Sequence, residues 1–438
     1  MVASFDVEIE KIVAGGDGLA RHDGCVVFVP RAAPGERHRV RVLEKRRDYI
    51  RAESTACLVP SSVRREPPCP YYGRCGGCSL MHLSPDAQVE VKRDVAVESL
   101  ERAGMRDFSR DVSGGAHTAA ASPEAGYRTR LRFHVSRRKD AISMGFRRRS
   151  SHHVVDIERC YLASDSLNES WARVRDWVRC DPARSRGLTS IELQESSDEM
   201  GRIVGRFFVG SRDGIRRFER HGPAELLQED TLDGVVAEAE QGGQGDEGRS
   251  LRLGAPVVRH RVGALSLRQS AGSFFQANRF LLEPLVRAAS PTSRVRRLVD
   301  LYSGVGLFSL ALSDRAESVV GVEGSPRAVV DAKANACNSR AEHVRFVRAD
   351  VARFAQDHRF ERGDYVVVDP PRGGLPSSLA EALAGSPIDA FCYVSCDAPA
   401  LGRDAAWFVA RGFRIETLQV LDLFPNTHHF ETVVRWSR

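Results

Sequence analysis

Residues 365–374 read Y-V-V-V-D-P-P-R-G-G, and residues 391–404 read F-C-Y-V-S-C-D-A-P-A-L-G-R-D. Each opens as an apolar, β-prone run and breaks off into polar, turn-forming residues. Parallel strands buried on both faces are written this way, and they deliver their last side chains to the carboxyl edge of a sheet. The first strand delivers Asp369, with Pro370 and Pro371 stiffening the turn behind it. The second delivers Ser395 and Cys396. Open α/β sheets bind ligands at that edge. A thiol there, one strand after D-P-P-R, therefore reads as a candidate nucleophile; an isolated one would read as a small buried hydrophobe.

Upstream, residues 297–312 read R-L-V-D-L-Y-S-G-V-G-L-F-S-L-A-L. A short apolar strand carries Asp300, a glycine turn follows, and a helical segment begins. Gly304 and Gly306 let the backbone approach a ligand at a helix N-terminus. The next strand, S-V-V-G-V-E-G, ends in Glu323 about 20 residues on, where a carboxylate accepts hydrogen bonds from both ribose hydroxyls. H-V-R-F-V-R-A-D ends at Asp350. This alternation, from about residue 255, predicts an α/β domain with Asp300, Glu323, Asp350 and Asp369 along one sheet edge. G-V-G stands in place of a full G-x-G-x-x-G, and the absence of G-x-x-x-x-G-K-[ST] excludes a P-loop. Polar strand ends in this order point to an adenosyl ligand, most naturally S-adenosylmethionine.

At 438 residues the chain is long enough for two or three domains. Hydrophobic residues make up 42% and charged residues 28%, an ordinary soluble composition, and no apolar run approaches membrane-spanning length. The N-terminus lacks a signal-peptide pattern. The expectation is a cytoplasmic protein whose ten cysteines are reduced thiols, ligands or nucleophiles. The net charge is +6, and only five of the 64 basic residues are lysine. Arginine binds phosphate bidentately and stacks on bases. Codon bias would give the same count, so the total alone decides nothing.

Residues 1–60 alternate as short strands between glycine-rich turns, which predicts a small oligonucleotide-binding-type barrel. Arg39, Arg41, Lys45, Arg46, Arg47 and Arg51 would give it a basic face suited to phosphate or to water. Next comes C-P-Y-Y-G-R-C-G-G-C, with Cys69, Cys75 and Cys78 spaced C-x5-C-x2-C. Glycines between the last two let the backbone fold around a metal. Cys160, after the strand-like V-D-I-E-R, is the candidate fourth ligand. Four thiolates suit structural zinc or a four-iron cluster, and spacing does not choose between them.

Residues 86–103 have helical period, with Gly104 as a stop. Y-R-T-R-L-R-F-H-V and M-G-F-R-R-R then read as strands, with Arg128, Arg130 and Arg132 on one face and Tyr127, Phe133 and Phe146 nearby. Interleaved arginine and aromatics suit a partly unpaired RNA whose bases can stack; a solvated sheet face is the plainer alternative. Residues 225–250, acidic and glycine-rich, read as a mobile surface insertion.

Taken in order, C-P-Y-Y-G-R-C-G-G-C, Y-R-T-R-L-R-F, S-F-F-Q-A-N, D-L-Y-S-G-V-G, V-G-V-E-G, D-P-P-R-G-G, Y-V-S-C-D-A-P-A-L-G-R-D and F-P-N-T-H-H-F-E-T-V resemble the RNA uracil-5 methyltransferases that carry a TRAM barrel and a cysteine-bound iron–sulfur cluster, of which the 23S ribosomal RNA enzymes are best known. The resemblance covers nearly the whole chain, the acidic insertion excepted. It implies a multidomain fold: a TRAM-like barrel over 1–60, a central α+β RNA-binding domain with the metal site over 61–254, and a Rossmann-like class I methyltransferase domain over 255–438. It implies Cys396 as nucleophile and Glu431 as general base. It implies cofactor contacts from Gln276, Tyr302, the Gly304–Gly306 backbone, Leu307, Glu323 at the ribose, Asp350 near the adenine and Asp369 near the methyl donor. Cys69, Cys75, Cys78 and Cys160 would hold the cluster. Three departures from the family pattern are Leu307, which removes a polar side chain but not the backbone contact, Asp397, where Asn is frequent, and Asn426, where His is common.

The expected enzyme is a cytoplasmic monomer that methylates C5 of a uridine in RNA, with 23S rRNA favoured and tRNA the alternative. C5 of uracil is a poor nucleophile. A thiolate adding at C6 makes the ring an enolate whose C5 can attack a methyl sulfonium, and a base then removes the C5 proton. A methyltransferase for small molecules or proteins would have no use for the barrel or the thiol. A non-catalytic iron–sulfur RNA-binding protein would leave Cys396 inert.

Overall fold

The first five strands close on themselves. They are β1 (Ser4–Ile12), β2 (Asp17–His22), β3 (Cys25–Pro30), β4 (Arg37–Lys45) and β5 (Tyr49–Val59), joined in the order β1-β2-β3-β5-β4. Alternation sends Val7, Ile9, Val27, Val29, Val40 and Ile50 inward. The computed structural model describes residues 4–105, 117–118, 122–138, 141–228, 231–240 and 250–438. The expected basic face is largely neutralised: Arg39 donates to Asp6 at 2.9 Å, Arg41 pairs with Glu53, and Arg46 donates to Glu44 at 2.6 Å.

The helix Pro85–Arg102 follows, capped by Ser84, whose hydroxyl accepts from Ala87 N at 3.4 Å; Gly104 just past its end has φ +98°. Its sequence lies within the expected central domain, yet Val95, Ala96 and Leu100 join the core of the C-terminal sheet. The two-residue strand β6 (His117–Thr118) also pairs into that sheet.

The central unit is a seven-stranded sheet. Its strands are β7 (Arg130–Arg138), β8 (Ala141–Arg147), β9 (Val154–Asp156), β10 (Leu188–Glu195), β11 (Ile203–Val209), β12 (Gly234–Ala239) and β13 (Leu251–Gly254), in the order β13-β12-β11-β10-β7-β8-β9. Two expectations are corrected here. The acidic segment 225–250 contains β12, whose Val235, Val236 and Ala237 are buried between β11 and β13, so part of it is core rather than mobile insertion. The V-V-A run outweighs the acidic flanks; positions 229–230 and 241–249 lie outside the described residues. Tyr127 and Phe133 are fully buried, with Phe133 stacked on Trp171 at 3.6 Å, so neither is free to stack on a base. Arg130 donates to Glu192 and Arg132 to Glu240, at 2.7 and 2.9 Å.

A hairpin, β14 (Val257–Val262) with β15 (Leu265–Ser270), leads into the C-terminal sheet. That sheet contains β16 (Val295–Leu301), β17 (Ala316–Glu323), β18 (Val344–Arg348), β19 (Asp364–Val368), β20 (Ala390–Ser395), β21 (Arg414–Leu421) and β22 (Glu431–Ser437), in the order β18-β17-β16-β19-β20-β22-β21-β6. β16 through β20 run parallel, and β22 enters antiparallel between β20 and β21. The order reverses between β16 and β19, the crevice at which such sheets bind ligands.

The helix Pro85–Arg102 crosses the helix Ala398–Val409 at Gly402, where a Cβ would stand 2.3 Å from Ser99 O. Gly402→Val therefore forces backbone against backbone. It is expected to cost about 2–3 kcal/mol, read as a lowered urea midpoint with an unchanged slope.

Candidate active site

At the carboxyl edge the backbone is bent for close approach. Tyr302 has φ +65°, Gly304 +56° and Gly306 +95°. A Cβ on Gly306 would lie 2.8 Å from the Phe346 ring, so that position is closed to other residues on two counts. Asp300 is fully buried, and its Oδ2 accepts from Ser309 N and Oγ at 2.8 and 2.6 Å. Burial pushes its carboxyl up to about 6 against those hydrogen bonds. Glu323 accepts from Gly304 N at 3.0 Å and Ser325 N at 2.6 Å, which fixes the carboxylate and ties the glycine turn to β17. Leu307 is buried in the core, so the turn offers backbone there rather than a side chain. Asp350 is exposed and caps the helix Val351–Asp357 through Arg353 N at 2.9 Å. Burial, then the charges of Asp350 and Glu323, raise the Tyr302 phenol to about 12; the three therefore share one neighbourhood.

The S-F-F-Q-A-N loop crosses above this edge. Ser273 Oγ donates to the buried Asp331 at 2.7 Å, and Asn278 Nδ2 donates to Leu423 O at 2.8 Å. Phe274 is 62% exposed at its tip, and its carbonyl lies 4.0 Å from where a Cβ on Gly304 would be. Gln276 is buried beneath it, its amide engaged by no described residue.

Sheet register decides the rest. β20 pairs with β22 with Ser395 opposite Thr432, and Thr432 Oγ1 donates to Ser395 O at 2.9 Å. Cys396 is one residue on from Ser395 and Glu431 one residue back from Thr432, and the Glu431 charge acts on the Cys396 thiol. Asp369 leaves the parallel neighbour β19, its N–H donating to Leu301 O at 3.3 Å. Asp404 pins the D-P-P-R-G-G turn: its Oδ2 accepts from Leu375 N and from Tyr393 Oη, each at 2.8 Å. Glu431 is buried, with Oε2 lacking a partner, and burial followed by the Asp369 charge holds its carboxyl well above the ordinary range. Burial, then the charge of Glu431, push the Cys396 thiol up to about 12, while Arg372 pulls it down. Arg372 lies 3.5 Å from His429 Nε2. The site thus gathers carboxyls and a thiol that resist ionising together, with one guanidinium opposing.

The residues that carry Glu431 into place were not visible in the sequence as a group. Asn426, fully buried at φ +69°, ties the loop 422–430 to four other stretches of the chain. Its N–H donates to Gln88 Oε1 at 2.6 Å, its Oδ1 accepts from Arg65 at 2.9 Å, its Nδ2 donates to Glu124 O at 2.8 Å, and its carbonyl accepts from Ser79 and Leu80. Lys92, fully buried, donates to Asp422 at 2.6 Å. The available signal was Gln88 and Lys92, a polar pair four residues apart on the face that the helix buries.

Cys69, Cys75, Cys78 and Cys160 line one cavity of about 100 Å³ with Arg128, Phe146, Tyr72 and Tyr161. No three of their sulfurs lie within 4.8 Å of one another. Among the described residues the Arg128 guanidinium donates only to Tyr127 Oη, at 3.5 Å, and it lies over the Phe424 ring. It is a cation facing the thiols, with no carboxylate paired to it among the described residues. The trio with ligand atoms that close is Glu36, His38 and Cys57. Arg64 pairs with both Glu36 oxygens, and Ala33 N donates at 2.6 Å, so that carboxylate is already spent on protein partners.

The chain matches the tRNA (Uracil-5-)-methyltransferase family over residues 257–438 and the TRAM domain over residues 3–55. An uncharacterized RNA methyltransferase of Aquifex aeolicus is 31% identical, covering 97% of this chain and 96% of its own. The 23S rRNA (uracil(1939)-C(5))-methyltransferase RlmD of Chromohalobacter salexigens is 36% identical, covering 99% and 89%. Among solved structures, the tRNA (uracil-54, C5)-methyltransferase of Pyrococcus abyssi, in complex with S-adenosyl-L-homocysteine, aligns with a TM-score of 0.73 at 23% identity, covering 98% and 99%; at that identity the likeness is one of fold. Among the described residues no helix is long and apolar enough to cross a membrane.

Asp300, Asp369 and Glu431 all hold their protons more tightly folded than unfolded. The folded state therefore binds more protons. This contribution to stability is complete below the ordinary carboxyl range of about 4 and is lost as pH rises through the raised values. The thermal midpoint of the ligand-free protein should fall over that rise, and less steeply for Asp369→Asn; parallel profiles for the two proteins would contradict the assignment.

Proposed function

The chain belongs to the RNA (uracil-5-)-methyltransferase family, and on that premise we propose that it methylates C5 of a uridine in 23S ribosomal RNA through a transient covalent bond from Cys396. The observation that carries the mechanism is the β20–β22 register, which sets Cys396 against Glu431 beside Asp369. S-adenosylmethionine supplies the methyl group as a sulfonium. The residues suited to hold it are Tyr302, Glu323, Asp350, Gln276 and the glycine-turn backbone, a polar rim over a bent strand end with the Gln276 amide uncommitted.

The Cys396 thiolate adds to C6 of the uracil, and the electrons move onto the ring as an enolate, making C5 nucleophilic. Once C5 carries the methyl group, the Glu431 carboxylate takes the C5 proton. The C6–sulfur bond then breaks and the thiolate leaves. The buried site raises the cost of both anions. Arg372, whose charge lowers the Cys396 thiol and the Glu431 carboxyl alike, offsets part of that cost. Asp369 stands beside both and keeps the site receptive to a cation. A base inside an RNA stack cannot reach the thiol, so the target nucleotide must turn out of its stack. Ribosomal RNA is favoured over tRNA by the RlmD relative of matching length.

For the four cysteines we infer a four-iron cluster. A single tetrahedral zinc would draw its sulfurs to about 3.8 Å of one another, whereas these are spread around a cavity. The thiolate-bound core would also give Arg128 an anionic neighbour. Its role is to tie the 69–78 loop to Cys160, since the reaction above balances without electron transfer.

RNA carrying 5-fluorouracil tests the mechanism, because fluorine cannot leave as a proton. Wild-type protein should form an adduct that survives denaturation. Cys396→Ala should form none and lose methyl transfer by at least about 10³-fold. Glu431→Gln should still form adducts on ordinary RNA and release them slowly. Full activity in Cys396→Ala would end this mechanism. Protein purified without air should absorb visible light and contain iron and sulfide, and Cys160→Ser should lose both; a colourless protein with one zinc would replace the cluster assignment.

A further inference from the structure

The arginines that seemed best suited to RNA by sequence are mostly spent on carboxylates, as Arg39, Arg41, Arg130 and Arg132 show. The seven residues of 147–153, R-R-R-S-S-H-H, form a different kind of surface. They join β8 to β9 and are exposed throughout. The turn is well defined: Arg148 N donates to His153 O at 2.9 Å, His153 N to Ser151 Oγ at 3.1 Å, and Ser150 takes φ +52°. Arg149 reaches the barrel, donating to both oxygens of Asp17 at 2.6 and 2.8 Å. Arg147 and Arg148 have no ion-pair partner among the described residues, and the turn itself contains no acid.

This turn is linked to the candidate active site through the cysteine loop. Gly76 N donates to Arg147 O at 2.9 Å, so the turn lies along the cysteine loop. Three residues on, Ser79 Oγ is 3.1 Å from His428 Nδ1, and a Cβ on Gly16 of the barrel would be 2.9 Å from His428 Cβ. Burial, then the nearby charge of Arg149, lower the His428 imidazole below its ordinary range. The His428 and His429 rings are 4.0 Å apart, and His429 meets Arg372. The turn thus bridges barrel and cysteine loop, and both of those also meet the loop that carries His428.

We propose that the Arg147–His153 turn is the surface that grips backbone phosphates of the RNA strand flanking the target nucleotide, with Arg147 and Arg148 as its free cations and Arg149 as its anchor to the barrel. This rests on the RNA-methylating function proposed above. Order without neutralisation is what a phosphate site needs, because the turn's backbone is already fixed and no internal acid competes for its arginines.

The test compares wild-type protein, an Arg147→Gln/Arg148→Gln double variant, and Arg362→Gln, an exposed arginine paired with Asp389. Each is measured for binding to a protein-free 23S ribosomal RNA transcript across a salt series and for methyl transfer at saturating RNA. The double variant should bind about tenfold more weakly, with the slope of log affinity against log salt shallower by about 1.4, two single-strand phosphate contacts. Its turnover at saturation and its thermal midpoint should be unchanged, and Arg362→Gln should match wild type. Equal affinity and slope for the double variant and wild type would overturn the proposal even if that RNA is methylated. If the arginine dependence holds but wild type methylates no uridine, the surface stands and the proposed function falls.

Discussion

One strand pairing holds the candidate site together. β22 runs antiparallel beside β20, and Thr432 Oγ1 bonds the carbonyl of Ser395. A slip of one residue would turn Glu431 to the other face of the sheet. The parallel strands set the edge of the candidate site, and this inserted strand brings the Glu431 carboxyl from the end of the chain toward the Cys396 thiol. Its approach is held by Asn426, whose left-handed backbone and hydrogen bonds join the loop 422–430 to the cysteine loop and to the helix Pro85–Arg102. Position rather than intrinsic reactivity is what the fold contributes.

The electrostatics follow from that geometry. Asp300, Asp369, Glu431 and Cys396 are brought out of water at one sheet edge, and each is shifted toward its neutral form. A site built this way favours an incoming cation and disfavours stray ionisation. The reverse holds along the central sheet, where Arg206 bridges Glu192 and Glu238 at 2.9 and 2.6 Å. Those buried pairs shape the sheet. They leave little charge to attract a partner, which is why counting arginines misleads.

The three units are also one assembly. Glu36 of the barrel holds Arg64, Asp17 holds Arg149, and Tyr127, beside the cysteine cavity, donates to Pro425 O at 3.0 Å. The cysteine loop thus sits between the barrel and the loop 422–430 that Asn426 anchors.

Much was legible in the sequence because it depends on local pattern. Apolar runs ending in Asp369 and Cys396, the glycine turn after Asp300, the alternating strands of the barrel and the capped helix after Ser84 all follow from residues a few positions apart. The aromatic reading failed because alternation cannot say which face of a sheet will be covered, and helix Asp165–Cys180 covers the one with Phe133. The acidic segment misled because a strand of only six residues, β12, was hidden between polar flanks. The sequence alone determined which elements form and which side chains they deliver to a strand end. The tertiary structure decided which of those ends meet, which arginines are already paired, and that helix Pro85–Arg102 belongs to the C-terminal core. Such facts depend on contacts between residues as far apart as Gln88 and Asn426, and no local periodicity encodes a partner more than three hundred positions away.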